Sequence, residues 1–296
     1  MAVAATGFFD GVHLGHRQVL RQLCAVARER GEESVVVSFW PHPRTVLQQD
    51  ADRLRLLTSL QEKRELCLAC GVDRFEILPF TRAFSQLSAE AFIRRYLVEQ
   101  LGVTALILGY DHRLGHDRFD NPDQMCAVVS RCGVEPVRVG EFSVGDGAVS
   151  STQVRRLLLS GDVVAAEGML GYRYGLHGVV VAGNRLGRTI GFPTANMQLY
   201  EPLKLVPGDG VYAVWAEVLG ARYKGVCNIG IRPTVGPHGS RTIETHILDF
   251  DQDIYGLDLR IRFCARLRDE RKFGSLEELR SQLCADREKA AEIIVA

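Results

Sequence analysis

Two histidines three residues apart follow directly on a short apolar run. Ala2 to Ala5 lead into Gly7-Phe8-Phe9-Asp10-Gly11-Val12-His13-Leu14-Gly15-His16. The run reads as a buried strand, the glycine-punctuated decapeptide as a turn, and Leu14 to Arg30 as a helix. His13 and His16 then stand at a helix N-terminus, where free backbone N–H groups and the helix dipole favour anions. Each imidazole can donate a hydrogen bond to one phosphate. Gly15 has no Cβ, so a nucleotide can approach the backbone. This suits attack of a phosphate oxygen on the α-phosphate of a nucleoside triphosphate, which depends on positioning and charge stabilisation more than on covalent help. By spacing alone, an ordinary capped helix with two surface histidines is as good a reading. The glycine turn on a first strand favours the phosphate site. Zinc is the poorer alternative, because helical histidine pairs for zinc usually stand four apart and a third ligand is needed.

Other stretches offer phosphate chemistry. Ser150-Ser151-Thr152-Gln153-Val154-Arg155-Arg156 puts hydroxyls at a helix N-terminus with an arginine one turn later, or is a plain cap with a solvated basic face. Gly183-Asn184-Arg185-Leu186-Gly187-Arg188 lets backbone N–H groups approach phosphates, and Arg188 adds charge. It lacks the Gly-Lys-Ser/Thr ending of a Walker A loop. Gly191-Phe192-Pro193-Thr194-Ala195-Asn196 follows. If extended, Thr194 and Asn196 share a face and offer uncharged oxygens suited to Mg²⁺; a Pro-Thr turn with a capping Asn fits the spacing equally. Glu244 lies in an alternating run with Thr242 and His246 on its face, as a surface position or as a base for an attacking hydroxyl.

The elements that must hold these residues fall into two textures. In the first half, apolar runs at Ala2 to Ala5, Ser34 to Phe39, Arg74 to Leu78, Thr104 to Leu108 and Glu135 to Val139 alternate with helical patterns. One helix starts at Thr58 with Gln61 at the capping-box position and stops at Gly71; others run from Ser88 to Gly102 and from Pro122 to Cys132. This alternation predicts a parallel sheet covered on both faces, with ligands at the carboxyl ends of its strands. Past residue 170, shorter alternating runs at Gly210 to Leu219, Tyr223 to Ile229, Arg241 to Leu248 and Leu257 to Leu267 predict a small antiparallel sheet or barrel. A helix from Ser275 to Ile294, capped by Ser275 with Glu278 three residues on, closes the chain. The expected fold class is therefore α/β, with domains over 1–170 and 171–296.

The 296 residues suffice for two domains, and 36 basic against 36 acidic residues leave no global field for nucleic acid or an anionic membrane. No apolar run approaches the ~20 residues of a membrane span, and no signal segment is evident. The expectation is a cytosolic protein, a monomer or weak oligomer, whose eight scattered cysteines are reduced core residues.

The decapeptide resembles the nucleotidyltransferase signature His-x-Gly-His, and in its longer form that of the bacterial bifunctional riboflavin kinase/FAD synthetases. Five further stretches agree with that family in order: Ser-Ser-Thr-x-x-Arg at 150–155, Gly-Arg-x-x-Gly-Phe-Pro-Thr-Ala-Asn at 187–196, Asn228-Ile229-Gly230 with Pro233-Thr234, Glu244 to Phe250, and Arg268 to Phe273. Gly109-Tyr110-Asp111-His112-Arg113-Leu114-Gly115 is similar to a flavin-proximal family segment, with His112 and Leu114 in place of aromatics. Trp40-Pro41-His42-Pro43 is similar to its Pro-His-Pro loop, with Trp40 either against a flavin ring or filling a loop core.

The resemblance implies a Rossmann-like adenylyltransferase domain followed by a β-barrel kinase domain with a C-terminal helix. It implies phosphorylation of riboflavin to FMN, then adenylyl transfer from ATP to FMN giving FAD and pyrophosphate, with Mg²⁺ as cofactor. The implied ATP contacts in the first domain are Gly7, Phe8, Asp10, Gly15, Ser151 and Thr152, with His13, His16 and Arg155 catalytic and Asp111 beside the flavin. In the second they are Gly183, Gly187 and Arg188, with Thr194 and Asn196 at the metal, Glu244 as base, and Arg268, Glu270 and Phe273 along the flavin.

Overall fold

The computed structural model describes residues 1–47, 54–110, 114–117, 119, 121–140, 143–144, 147–183, 187, 190–232 and 240–295. Asp111, His112, Arg188, Pro233 and Thr234 lie outside the described residues. The chain divides into two compact units, Met1–Ser151 and Thr152–Ala296.

In the first unit, β1 (Ala2–Thr6), β2 (Glu33–Trp40), β3 (Arg74–Pro79), β4 (Val103–Leu108) and β5 (Glu135–Arg138) form one parallel sheet in the order β3-β2-β1-β4-β5. All five expected strands are present, each within two residues of its expected limits. Strands buried on both faces divide their side chains by parity. Val3 and Ala5 join Leu20, Leu23 and Cys67 in one core, while Ala2 and Ala4 join Phe92, Leu97 and Val129 in another. Burying one such leucine stabilises by roughly 1.5–3 kcal/mol. The helices are α1 (Leu14–Arg30), α2 (Pro43–Leu47), α3 (Leu60–Ala69), α4 (Ala89–Phe92) and α5 (Pro122–Arg131). α1 stops at Gly31, whose left-handed backbone ends the helix. α4 runs on as a π-helical turn over Ile93–Val98, so the pattern from Ser88 to Gly102 is not one regular α-helix. The sequence pattern also gave no sign of the small hairpin of β6 (Ser143–Val144) and β7 (Gly147–Ala148).

The second unit holds α6 (Ser151–Leu159, its first residue at the unit boundary), α7 (Val163–Leu170), six strands and α8 (Leu276–Ile293). β8 (Gly175–Val181), β9 (Ala195–Leu199), β10 (Gly210–Val218), β11 (Ala221–Arg232), β12 (Ser240–Ile247) and β13 (Asp258–Arg268) close as an antiparallel barrel, β10-β11-β12-β9-β8-β13. β8 and β9 were not among the expected runs. Closure leaves no open sheet edge. α8 is capped by Ser275, whose hydroxyl accepts from Glu278 N at 3.1 Å, and it packs Ala290 and Ile294 on Val211, Ala213 and Val226. The unit retains α6 and α7: Gly208 N donates to Leu158 O at 2.8 Å.

Candidate active sites

The first unit presents its site where strand order reverses. β2 and β3 lie to one side of β1 and β4 to the other, so the loops after β1 and β4 flank the crevice in which such sheets bind ligands. The loop after β1 is bent hard. Phe9 and Val12 hold positive φ, 45° and 36°, a conformation that costs a non-glycine residue on the order of 1 kcal/mol. Both side chains are buried in the core beside α1, which holds the backbone there.

Asp10 fixes the loop from its other side. Its carboxylate accepts from Leu57 N at 3.0 Å, Thr58 N at 3.1 Å and Thr58 Oγ1 at 3.2 Å, and Gly11 N donates to Thr58 Oγ1 at 3.1 Å. Thr58 is thereby committed, and the α3 cap falls one residue later than expected. Ser59 Oγ accepts from Glu62 N at 3.2 Å and Glu62 accepts from Ser59 N at 2.7 Å, in place of Thr58 and Gln61. Ser151 Oγ, at the end of the first unit, donates to the Asp10 carbonyl at 2.9 Å.

His13 caps α1, its Nδ1 accepting from His16 N at 3.3 Å. That bond leaves Nε2 to carry the His13 ring proton. The two imidazoles stack, with centroids 3.7 Å apart and 16° between planes. Burial, then the neighbouring His13 and Lys63, hold the His16 pKa well below its ordinary value. His16 is therefore neutral near pH 7. Its Nδ1 is buried with no hydrogen-bond partner among the described residues, as expected where a polar ligand completes a site. A Cβ on Gly15 would stand 3.3 Å from His13 ring atoms and 3.5 Å from Val149 O, so this glycine also makes room for the stacked pair. Gly7 N donates to Val37 O at 3.0 Å. Phe8 packs on Phe39, His42 and Phe80 at centroid distances of 5.4, 5.1 and 6.4 Å, forming an aromatic wall. Trp40 is half-buried at the end of β2. Thr152 is exposed and Arg155 half-buried on α6.

In the barrel, register assembles the site. Glu244 on β12 is paired with Asn196 on β9 and with Asn228 on β11, and residues directly opposite share a face. The row continues through Val211 on β10 to Arg268 on β13. Thr194 Oγ1 donates to Glu244 Oε2 at 3.4 Å. Gly183 leaves room for the Asn196 amide, which a Cβ would approach to 2.2 Å; Gly187 lies as closely against Phe192 O. His246 holds the turn bearing Thr194, with Nδ1 2.8 Å from Pro193 O and its ring 5.2 Å from that of Phe192. Burial lowers the His246 pKa, so the neutral ring donates to that carbonyl.

Two cavities among the described residues meet at Thr194. One, about 300 Å³, is lined by Pro193, Thr194, Ala195, Thr245 and residues 250–255. The other, about 290 Å³, lies under α8 and is lined by Glu244, Asn228, Arg268, Glu270, Phe273 and Asp286 among others. Asn228 donates to Glu270 at 3.3 Å. The Arg268 guanidinium grips Asp286 of α8 through Nε at 3.0 Å and Nη2 at 2.7 Å. Arg268 and Arg271 also lie over the Phe273 ring, at 5.7 and 4.8 Å. Asp286 and residues 251–255 were not among the expected site residues, and Asn228 and Phe250 stood in family-matched stretches with no role given. Asn228 could have been found by aligning the alternating strands around Glu244. Asp286 could not, because 18 residues and a helix separate it from Arg268.

Asp286 is 3% exposed, so removing its charge strands a guanidinium under α8. Asp286→Ala is expected to cost about 3 kcal/mol of stability, the usual penalty for breaking a buried pair. Thermal and denaturant unfolding of the barrel would show it; a loss under about 1 kcal/mol would mean that the pair is effectively solvated.

Comparison with known proteins agrees with both halves of this geometry. Residues 1–153 match the FAD synthetase family model and residues 170–294 the riboflavin kinase family model. The bifunctional riboflavin kinase/FMN adenylyltransferase of Bacillus subtilis is 37% identical over 98% of this chain and 91% of its own length. This chain belongs to that bifunctional family. The Pseudomonas fluorescens member is 40% identical over 96% of this chain and 90% of its own. A crystal structure of a protein named macrolide-efflux protein, from Streptococcus pneumoniae, superposes with a TM-score of 0.90 at 31% identity, covering 98% of this chain and 93% of that one. No described helix of this chain is long and apolar enough to cross a membrane.

Proposed function

We propose that this chain runs both reactions of its family in two separate sites: ATP-dependent phosphorylation of riboflavin to FMN in the barrel, then adenylyl transfer from ATP to FMN in the parallel-sheet domain. The observation that carries the reading is the position of Glu244, on the wall of one cavity and hydrogen-bonded to the threonine shared with the other. A phosphoryl transfer needs this arrangement: nucleotide on one side, acceptor hydroxyl on the other, and a base at the junction.

In the barrel, the cavity beside Pro193 to Ala195 takes ATP and the one under α8 takes the isoalloxazine, with Arg268, Glu270 and Phe273 along it. Glu244 accepts the proton of the ribityl 5′-hydroxyl as that oxygen attacks the γ-phosphorus. Thr194 and Asn196 fit Mg²⁺: both are neutral oxygen donors next to a carboxylate, and Thr194 keeps its lone pairs free while donating to Glu244. When bound there, Mg²⁺ supplies charge neutralisation at the phosphates. Gly183, Gly187 and Arg188 serve the nucleotide.

In the other domain, His13 and His16 donate to the α-phosphate as an FMN phosphate oxygen attacks it. Ser151, Thr152 and Arg155 hold the departing pyrophosphate. Gly7, Phe8, Asp10 and Gly15 shape the ATP side, Asp10 by anchoring the loop, and Asp111 stands by the flavin. The reading places the chain in the cytoplasm, acting on riboflavin, FMN and ATP as a monomer or weak oligomer without nucleic acid or membrane.

Incubation of the full chain with riboflavin, ATP and excess Mg²⁺ should yield FMN, then FAD and pyrophosphate. Bound but unchanged riboflavin would make it a flavin-binding regulator, and AMP transfer to another acceptor would redirect the first domain. A fragment of residues 171–296, alongside one of 152–296 that keeps α6 and α7, should make FMN and no FAD. If both fold and neither phosphorylates riboflavin, the domains are not catalytically separable.

A further inference from the structure

One charged side chain at the first site has no part in the scheme above. Lys63 on α3 is 4% exposed. Its helix face is the buried one: Cys67, one turn on, packs in the core that includes Phe9 and Val12 of the histidine loop. Lys63 stands one turn nearer the helix start, toward Thr58 and Asp10. Among the described residues no acceptor hydrogen-bonds its Nζ and no carboxylate forms an ion pair with it. The stem of the side chain is buried while the ammonium keeps some access to solvent, with donors left to offer a ligand. Asp10 does not pair with it. Its carboxylate already accepts from two backbone N–H groups and the Thr58 hydroxyl, and Lys63 acts on it only across space. The ammonium is also close enough to His16 to lower that histidine's pKa further.

We propose that Lys63 is a further catalytic residue of the adenylyl-transfer site, its ammonium contacting the phosphates of the bound nucleoside triphosphate beside His13 and His16. This rests on the adenylyl-transfer reading given above. Lys63 of α3 is one of two full positive charges held beside the histidine loop, the other being Arg17 of α1, whose Nε donates to Val12 O at 3.2 Å. Lys63 keeps its proton throughout. The bond from the FMN phosphate oxygen to the α-phosphorus forms, the bond from that phosphorus to the pyrophosphate oxygen breaks, and the ammonium meets negative charge that shifts toward the leaving group. Lys63 makes no direct hydrogen bond or ion pair among the described residues and meets Asp10 only across space, so its neutral replacement should leave the fold intact.

The test uses the full chain with Lys63→Met and Lys63→Arg, measuring FAD formation from FMN and ATP, riboflavin phosphorylation in the same preparations, and thermal unfolding. Lys63→Met should melt no lower than the unaltered chain, phosphorylate riboflavin normally, and form FAD about 10²-fold or more slowly, the scale of losing a positioned donor. Lys63→Arg should recover at least about tenfold over the methionine variant, because a cation is restored. FAD formation within about threefold of normal in the methionine variant overturns the proposal. So does a methionine variant that melts lower and loses turnover with its fold, since Lys63 would then be a structural counter-charge for Asp10. If the unaltered chain makes no FAD from FMN and ATP, the adenylyl-transfer reading itself has failed, a result separate from any variant's.

Discussion

Glu244→Gln should lower riboflavin phosphorylation by roughly 10²- to 10⁴-fold, the range that a positioned general base contributes. Glutamine keeps the size of the side chain and can accept from the Thr194 hydroxyl, which lies 3.4 Å from Oε2. It cannot take a proton near neutral pH. Affinity for ATP should hold, because the proposed scheme gives the nucleotide to Thr194, Asn196 and the glycine-bearing segment. The barrel should hold as well: Glu244 is half-buried at a cavity wall, and its backbone pairing with Asn196 and Asn228 is untouched. FAD formation from supplied FMN should be unchanged. Single-turnover phosphorylation with saturating riboflavin and ATP isolates the chemical step. A glutamine variant with near-normal turnover makes Glu244 a bystander and leaves catalysis to metal and positioning alone. Loss of ATP binding together with turnover would instead place the carboxylate among the nucleotide contacts.

His16→Ala should cut FMN-to-FAD conversion by about 10²-fold or more, with riboflavin phosphorylation barely altered. Beyond the lost donor, alanine removes the ring stacked on His13 at 3.7 Å, so His13 loses part of its own positioning. Comparable loss of both activities would point to damaged folding and remove support for the role. The same residue gives a pH signature in stability. Burial depresses the His16 pKa in the native state, whereas the unfolded chain titrates near the ordinary histidine value of about 6.5. The stability owed to a neutral His16 is present above that value. It is lost as pH falls from there toward the depressed native pKa, because the unfolded state takes up a proton that the native state refuses. His16→Ala should flatten the acid side of the melting-temperature profile over that window. An unchanged profile would mean that His16 is solvated and ionises normally.

Much of this protein could be read along the chain because the deciding interactions are local. The five parallel strands announce themselves by apolar runs and the α1 boundaries by the turn before His13 and by Gly31, since a strand buried on both faces and a helix end each leave a compositional mark within a few residues. Family motifs supplied the activity, because glycines, histidines and hydroxyls clustered around a phosphate are closely spaced in sequence. β8 and β9 leave no such mark: their strand character depends on barrel closure, through partners as far as 87 residues away. The α3 cap was misplaced by one residue because Asp10, 47 residues from Leu57, had already taken Thr58.

Only the tertiary structure decided the protonation of the site and its second layer of residues. That His16 is neutral follows from burial and from neighbours brought by α1 and α3 together, and no spacing rule reports desolvation. That Asn228 stands opposite Glu244 follows from strand register, and that Asp286 holds Arg268 follows from where α8 lands on the barrel. Residue types and short spacings settled which chemistry was available. The distant contacts that exclude water, fix tautomers and join two cavities at Thr194 settled which of those residues can perform it, because dielectric, register and closure belong to the packed chain and not to any segment of it.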